Sequence, residues 1–274
     1  MTNTSILISI ITVTYNAGDF IEKTIENVAL QTYPNIEYII VDGGSTDHTV
    51  EIIKKHTNVV TRWISEPDKG IYDAMNKGIK MSTGELIGIV NASDYYEPNA
   101  IEVMANAYQN HKDCGIFHGN INLLNEDGSF FKLKKPDTDL THLSNGFTLY
   151  HPTFFVTRAT YEQRGLYDTQ FKITADYDFA LRCSLACVKF YYVDKVISNF
   201  CIGGISSTDR AKCLEESRQV LINNGIQVAT ADETYQKWLK NERKNMFYRT
   251  VYDFMRRFLP NKFMSKIVLR FSVK

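Results

Sequence analysis

Along its first third the chain alternates between apolar runs of strand length and segments whose apolar positions recur at helical spacing. Residues 7–14 (LISIITVT) form a continuous run rich in β-branched side chains, the pattern of a strand covered on both faces. Over residues 19–31, Phe20, Ile21, Ile25, Val28 and Ala29 fall on one side of a helix. The same reading predicts strands at 36–41, 59–64 and 86–90, with helices at 49–56 and 72–81 between them. Such alternation implies right-handed β-α-β crossovers, and so an α/β fold with a mainly parallel sheet flanked by helices. Farther on, strands are predicted at 114–122, 130–133, 153–156 and 189–193, and a helix at 177–186. Asn125 to Ser129 reads as a hairpin turn, and residues 136–145 as a polar, mobile connection. From about Asp209 the pattern is helical to the end, with breaks near Gly225 and Pro260. No repeat or low-complexity tract interrupts it.

Ligands of parallel sheets bind beyond the carboxyl ends of the strands, and the polar residues cluster there. The clusters are Thr14-Tyr15-Asn16, Asp42-Gly43-Gly44-Ser45, Glu66-Pro67-Asp68-Lys69 and Asn91-Ala92-Ser93-Asp94. One such loop is ordinary turn chemistry. Four in succession predict a crevice, with Asp42, Asp94 and a later carboxylate, Asp176, facing one small molecule.

Composition changes this picture in two places. Lys+Arg and Asp+Glu both total 31 in 274 residues, yet from Glu242 onward nine basic residues meet two acidic ones. A neutral sum therefore hides an acidic body and a basic tail. Nothing in the body favours nucleic acid as a partner. The five cysteines form no C-x-x-C pair, which fits reduced thiols and a cytoplasmic setting. Cys183 and Cys187, four apart, read as packing residues rather than metal ligands. The first residues lack a basic n-region, and no run has the ~18 apolar residues of a membrane span.

Phosphate chemistry comes next. No G-x-x-x-x-G-K-[ST] loop and no G-x-G-x-x-G helix start is present, which disfavours P-loop kinases and dinucleotide-dependent dehydrogenases. The turn Tyr15-Asn16-Ala17-Gly18 is too short to wrap a pyrophosphate alone. Asp42 and Gly44 lie where a strand-end carboxylate and a close backbone meet a base or ribose. In the dense segment 66–76, Asp73 and Asn76 share a helix face at i, i+3. Asp94, after a buried strand, offers a hard oxygen ligand to a divalent cation, which would offset charge on a departing diphosphate. Asp176 and Asp178 open a helix whose dipole favours ionised carboxylates. A carboxylate so held can take a proton from a hydroxyl.

Several of these segments together resemble glycosyltransferase family 2. They are Ser9-Ile10-Ile11-Thr12-Val13-Thr14-Tyr15-Asn16, Val41-Asp42-Gly43-Gly44-Ser45-Thr46-Asp47, Ser65-Glu66-Pro67-Asp68-Lys69-Gly70 and Ala175-Asp176-Tyr177-Asp178. The likeness runs from about Ser9 to Ser207. Gly70-Ile71-Tyr72-Asp73-Ala74-Met75-Asn76-Lys77-Gly78 and Phe200-Cys201-Ile202-Gly203-Gly204-Ile205-Ser206 resemble the colanic-acid and capsule-building bacterial enzymes in particular.

The resemblance implies a Rossmann-like GT-A domain over 1–207, with a nucleotide-binding half (1–94) and an acceptor-binding half (95–207), followed by a basic helical extension (208–274). It implies transfer, with inversion, from a nucleoside diphosphate-sugar, UDP foremost, to a hydroxyl of a glycan acceptor carried on an undecaprenyl-type lipid. Thr14, Asn16 and Asp42 would hold the nucleoside, and Asp68 and Lys69 would border the ribose and phosphates. Asp176 would be the base, Asp178 its support or an acceptor contact, and His151 an acceptor-side residue. The family's Asp-x-Asp or Asp-Asp cation motif is here Asn91-Ala92-Ser93-Asp94, with Asp94 its one carboxylate. A Mn2+ or Mg2+ site completed by diphosphate and water, replacement of the cation by basic side chains such as Lys69, and a nucleotide- or glycan-binding module without turnover all stay open.

In the tail, Phe247, Val251, Phe254 and Phe258 form one apolar stripe, and Phe263, Met264, Ile267, Val268 and Phe271 a second, opposite Lys262, Lys266 and Arg270. Basic amphipathic helices of this kind either lie on anionic membrane surfaces or pack on a sheet with the basic side solvated; the expectation for residues 242–274 is peripheral contact with the inner face of the plasma membrane, which is compatible with both.

Overall fold

The computed structural model describes residues 5–125, 127–201 and 209–258, the last stretch with side chains as far as 244. In chain order the elements are β1 (Ile8–Thr14), α1 (Ile21–Ala29), β2 (Ile36–Asp42), α2 (Thr49–Lys55), β3 (Arg62–Ser65), α3 (Ile71–Met81), β4 (Leu86–Ile89) and β5 (Tyr95–Tyr96). There follow α4 (Ala100–Asn110), β6 (Ile116–Leu124), β7 (Phe130–Lys134), β8 (Phe155–Thr157), α5 (Arg158–Arg164), α6 (Ala175–Leu185), β9 (Phe190–Cys201), α7 (Arg210–Asn223) and α8 (Val228–Phe258).

Among the described residues these strands form one sheet in the order β3-β2-β1-β4-β8-β6-β9-β5, with β7 paired to β6. The first four in that order are mutually parallel, as the alternating pattern predicts. Beyond them β8 runs antiparallel to both β4 and β6, while β9 lies parallel to β6. The result is a mixed sheet with helices on both faces.

Every residue of β1 is buried. Ile8 and Ile10 pack with Ile21, Ile25, Ile52 and Met104 on one face, whereas Ile11 and Val13 pack with Met75, Ile79 and α6 on the other. α3 lies so close to β1 because residue 78 is glycine: a Cβ there would meet Ile11 Cγ2 at 2.5 Å. At the opposite end of the strands Glu37 is buried, accepting from Ser9 Oγ at 2.5 Å, Thr83 N at 2.6 Å and Thr83 Oγ1 at 2.8 Å, and pairing with Arg62.

Several expectations shift. In α1 the buried set is Ile21, Thr24, Ile25 and Val28, while Phe20 is half exposed and Ala29 faces out. The connection at 136–145 contains a 3-10 turn, Leu140–Asn145, with Leu143 fully buried. β9 is much longer than residues 189–193, because register shifts against β6 at Gly119–Ile121 let pairing continue past Asp194 and Lys195. α4, α5 and β5 add elements that periodicity did not mark. The five cysteines are free; Cys183 is buried, and Cys187 is exposed in a left-handed turn after α6.

The extension packs against the sheet domain: Val220, Leu221 and Ala231 belong to the same apolar cluster as Ile11, Val41 and Phe179. Of the predicted tail stripes, the helical backbone of α8 reaches Phe258. The side chains from 245 and everything after 258 lie outside the described residues, as does most of the Phe200–Ser206 segment. Among the described residues, no helix is long and apolar enough to cross a membrane.

Candidate active site

The ends of β1, β2 and β3 are laced into one rim. Asn16 follows β1 in the left-handed region at φ 47°, which turns its side chain toward the next loop. Its N–H donates to Ser45 Oγ at 2.7 Å, and its Oδ1 accepts from Thr46 N at 2.9 Å. Asp42 ends β2 fully buried. Its carboxylate accepts from Ser45 N at 2.9 Å, Gly44 N at 3.2 Å and Ser65 Oγ at 2.6 Å, and also from Ser45 Oγ. Asp42 thus spends its charge on the shape of the loop; what a ligand meets there is the loop it holds.

Gly43, itself buried, shows the consequence of that shape. The space its side chain would fill is taken by Asp68 Oδ2, with the Tyr15 ring alongside. Asp68 is fixed in turn by Gly70 N at 2.8 Å. Tyr15, 62 % exposed at the end of β1, and Asp68 therefore stand over one glycine. Thr14 and Asn91, at the ends of the neighbouring strands β1 and β4, carry buried side-chain oxygens, Thr14 Oγ1 and Asn91 Oδ1, with no partner among the described residues. Buried polar atoms without partners are uncommon in folded proteins, and two at one sheet rim mark a place for a polar ligand.

Asp94 sits just beyond, 2 % exposed. It accepts from Cys201 N at 3.2 Å and Asn91 Nδ2 at 3.4 Å. Burial pushes its carboxyl up to about 7, against those two hydrogen bonds. Among the described residues no three His, Cys, Asp or Glu side chains gather as a ready metal cage. The oxygens that suit a hard cation here are Asp94 and the unpartnered Asn91 Oδ1.

A second polar region is organised by α3 and α6. Asp176, in the first turn of α6, lines a cavity of about 520 Å³ together with His151, Tyr150, Leu149, Leu214 and Trp238. Its Oδ1 accepts from Tyr72 Oη and from Tyr177 N, both at 2.9 Å. Burial pushes its carboxyl up to about 6, the nearby Glu216 charge adds to the rise, and the bonds from Tyr72 and Tyr177 hold it back. At neutral pH it is a carboxylate with raised basicity, which suits a proton acceptor.

Tyr72 belongs to the helix that begins at the Asp68-Lys69-Gly70 turn, so one side chain links the two regions. Lys172 makes a second link, its Nζ donating to Lys69 O at 3.0 Å. Asp73 stays with the Asp68-Lys69-Gly70 turn, accepting from Lys69 N at 3.0 Å.

His151 is 7 % exposed and shares a hydrogen bond of 2.9 Å with Tyr167 Oη; burial lowers its pKa to about 4, so the ring is neutral. Asn76, expected at the nucleotide, instead clamps the Tyr167 backbone on both sides, at 2.8 and 3.0 Å, and turns away from the strand-end rim. Asp178 also departs from expectation. Two residues along a helix is about 200° around its axis, and Asp178 faces away from the cavity, bonded to Arg182 Nε at 2.7 Å and Asn224 Nδ2 at 2.8 Å. It ties α6 to α7. Asp42, Asp94 and Asp176 likewise do not face one furrow, since the first two turn inward and the cavity is lined by the third alone.

Glu216 of α7 is the residue that sequence reasoning missed. Its carboxylate accepts from three successive amides, Lys172 N at 3.0 Å, Ile173 N at 2.8 Å and Thr174 N at 3.2 Å, and from Thr174 Oγ1 at 3.3 Å. Successive N–H groups pointing into one concavity form an anion nest. Here the nest immediately precedes α6 and is filled from the extension, so α7 fixes the loop that presents Asp176. Nothing local distinguishes Glu216 from a solvated helix glutamate.

Comparison with known proteins agrees with this architecture. A glycosyltransferase of Mycobacterium bovis (strain BCG / Pasteur 1173P2) described as "PGL/p-HBAD biosynthesis glycosyltransferase" is 27% identical over 261 residues, covering 92% of this chain and 98% of that one. Among solved structures, S. aureus TarS 1-349 in complex with UDP-GlcNAc superposes with a TM-score of 0.64 at 19% identity, over 85% of this chain and 71% of that one. The mannosyltransferase PcManGT from Pyrobaculum calidifontis, in complex with GDP-Man and Mn2+, superposes at 0.60 with 15% identity, over 99% and 89%. These likenesses show the GT-A fold. The family model described as glycosyl transferase family 2 matches residues 9–164, so the chain belongs to that family and is a glycosyltransferase.

Proposed function

We propose that the enzyme transfers a sugar, with inversion, from a UDP-sugar to a hydroxyl of a lipid-linked glycan during assembly of a bacterial surface polysaccharide of the colanic-acid or capsule kind. The observation that carries this reading is Asp176, a carboxylate of raised basicity in the wall of a cavity, joined through Tyr72 to the strand-end rim. Ionised Asp176 takes the acceptor's proton as its oxygen attacks the anomeric carbon. The bond to the diphosphate breaks on the opposite face, and the nucleoside diphosphate leaves.

On the donor side, Thr14, Tyr15, Asn16 and Asp68 contact the nucleoside around the loop that Asp42 and Gly44 shape, and Lys69 lies toward the phosphates. Asp73 steadies the Lys69 turn. Asn76 and Asp178 act through Tyr167 and α7, and His151 forms part of the acceptor wall. A Mn2+ or Mg2+ ion on Asp94 and Asn91 Oδ1, completed by diphosphate oxygens and water, would offset the leaving group's charge. UDP-GlcNAc in TarS and GDP-Man with Mn2+ in PcManGT support a nucleotide-sugar donor and a cation in this fold. The enzyme works in the cytoplasm at the inner membrane face, and the basic residues of 242–274 supply the contact.

A thermal-shift series with UDP, GDP and their sugars, with and without Mn2+, tests the donor. Stabilisation by GDP alone would overturn the UDP assignment. A second reading, a nucleotide-binding module with little turnover, draws on Ser93 standing where the family carries a second carboxylate. Loss of donor hydrolysis in Asp176→Asn argues for the enzyme; equal rates in both argue for the module.

A further inference from the structure

The cavity beside Asp176 has a chemistry that the proposed reaction does not by itself require. Its walls are Ile121 and Leu123 of β6, Leu149, Phe200 of β9, Leu214 of α7 and Trp238 of α8. A pocket built for a sugar ring pairs an aromatic platform with side chains free to meet hydroxyls, because each hydroxyl that loses water without a partner weakens binding.

Here the polar atoms of the wall are largely used within the protein. Tyr177 Oη donates to Leu143 O, Ser217 Oγ to Cys213 O at 2.7 Å, and Trp238 Nε1 to Asn145 O at 2.9 Å. His151 is bonded to Tyr167, and Arg210 Nε is paired with Glu242 at 3.3 Å. Among the described residues, what remains facing the space is mainly apolar, with Asp176, Tyr150, Asn241 and the Arg210–Glu242 pair as its polar members. At about 520 Å³ it falls within the range of roughly 300–1,000 Å³ in which proteins hold small molecules.

We infer that this cavity is an aglycone site: it takes an apolar group, aryl or alkyl, attached to the sugar whose hydroxyl meets Asp176. This rests on the reading of Asp176 as the base and of the cavity as the acceptor side. It adds that the apolar group is gripped by the protein, with Leu214 and Trp238 of the extension forming part of the grip, rather than left in a bilayer. A bare sugar then binds poorly, and acceptors are sorted by what lies on the far side of the first glycosidic bond.

The chain has two tryptophans, so Trp63→Phe leaves Trp238 as the single reporter in the cavity wall. Its emission is titrated with methyl, phenyl and decyl β-D-glucopyranosides, below micelle concentrations. Wild type is followed in parallel by ligand-induced thermal shift, which keeps the result independent of that variant's stability. The phenyl or decyl glycoside is expected to half-saturate at a concentration at least ten-fold lower than the methyl glycoside, and Phe200→Ser to narrow the gap to about three-fold. A stronger phenyl response assigns an aromatic aglycone, a stronger decyl response a lipid chain.

Equal half-saturation for all three, or no saturable response to the phenyl and decyl compounds, overturns the inference. Hydrolysis of UDP-sugars in the same preparations is scored separately. Hydrolysis without apolar preference removes the aglycone site and leaves the catalytic reading. Apolar preference without hydrolysis keeps the site and removes the catalytic reading.

Discussion

Asp176→Asn is expected to yield a protein that is more stable and much less active than the wild type. Asparagine keeps the shape, and its Oδ1 still accepts from Tyr72 Oη and Tyr177 N, so the substitution removes charge with little change in packing. Burial raises the Asp176 carboxyl from 3.8 to about 6. A group that binds its proton more tightly in the folded state destabilises that state once it is ionised. The cost is absent below the unfolded value and fully present above the folded one.

A shift of roughly two units corresponds to about 3 kcal/mol. Solvent reaching this half-buried group lowers that to about 1–2 kcal/mol. In a chain of this size the gain is roughly 2–6 °C in midpoint at pH 8, closing to nothing near pH 4. Transfer should fall by about 10²–10⁴, the range attributed to one general base. Urea unfolding of both proteins at pH 8 and pH 4, beside turnover of a nucleotide-sugar donor, measures both effects. A variant no more stable than wild type at pH 8, or one retaining more than about a tenth of its transfer rate, would refute the reasoning.

Other perturbations probe the supporting structure. Glu216→Gln removes one of the charges that raise Asp176, so the acid limb of the pH–rate profile should move to lower pH by under about one unit; Glu216→Ala should in addition cost about 2 kcal/mol in unfolding for the three amides left in the nest. Gly43→Ala forces Asp68 out of its place over the β2 loop, and donor KM should rise by about ten-fold or more with a smaller change in kcat, as steady-state kinetics will show. Glu37→Gln should cost about 1–3 kcal/mol at pH 7. Burial raises the Glu37 carboxyl, but the bonds from Ser9, Thr83 and Arg62 together lower it overall, so its contribution is present above 4.5 and lost as pH falls through the depressed value. Denaturant melts of both proteins across that range should converge in acid.

The parts legible in the sequence were those where one local pattern had a single physical solution. A run like Ile8 to Val13, apolar at every position but Ser9 and Thr12, has to be covered on both faces, and so implies the helices beside it. Spacing also separates Asp176 from Asp178, once they are set on a helix rather than counted as a pair. What stayed hidden depended on chain segments far apart. β9 continues through Asp194 and Lys195 because β6 bulges to meet it. α4 hides because three of its five buried positions are alanines, which carry a weak apolar signal. Asp42 reads as a ligand contact until the loop folds back and Ser45 and Ser65 claim its oxygens. Glu216 acquires meaning only when α7 lies against a loop 42 to 44 residues earlier in the chain.

Val220, Leu221 and Ala231 should melt together with their neighbours. Because they sit in the same continuous interior as Ile11 and Val41, heating should not strip α7 and α8 away and leave a folded catalytic core behind. A calorimetric scan of the whole protein should show one heat-absorption peak, and a gene shortened to codon 207 should yield aggregate. For anyone engineering this enzyme, the carboxyl-terminal helices are structural members of the catalytic body, to be redesigned in place by side-chain replacement and never grafted on or cut away.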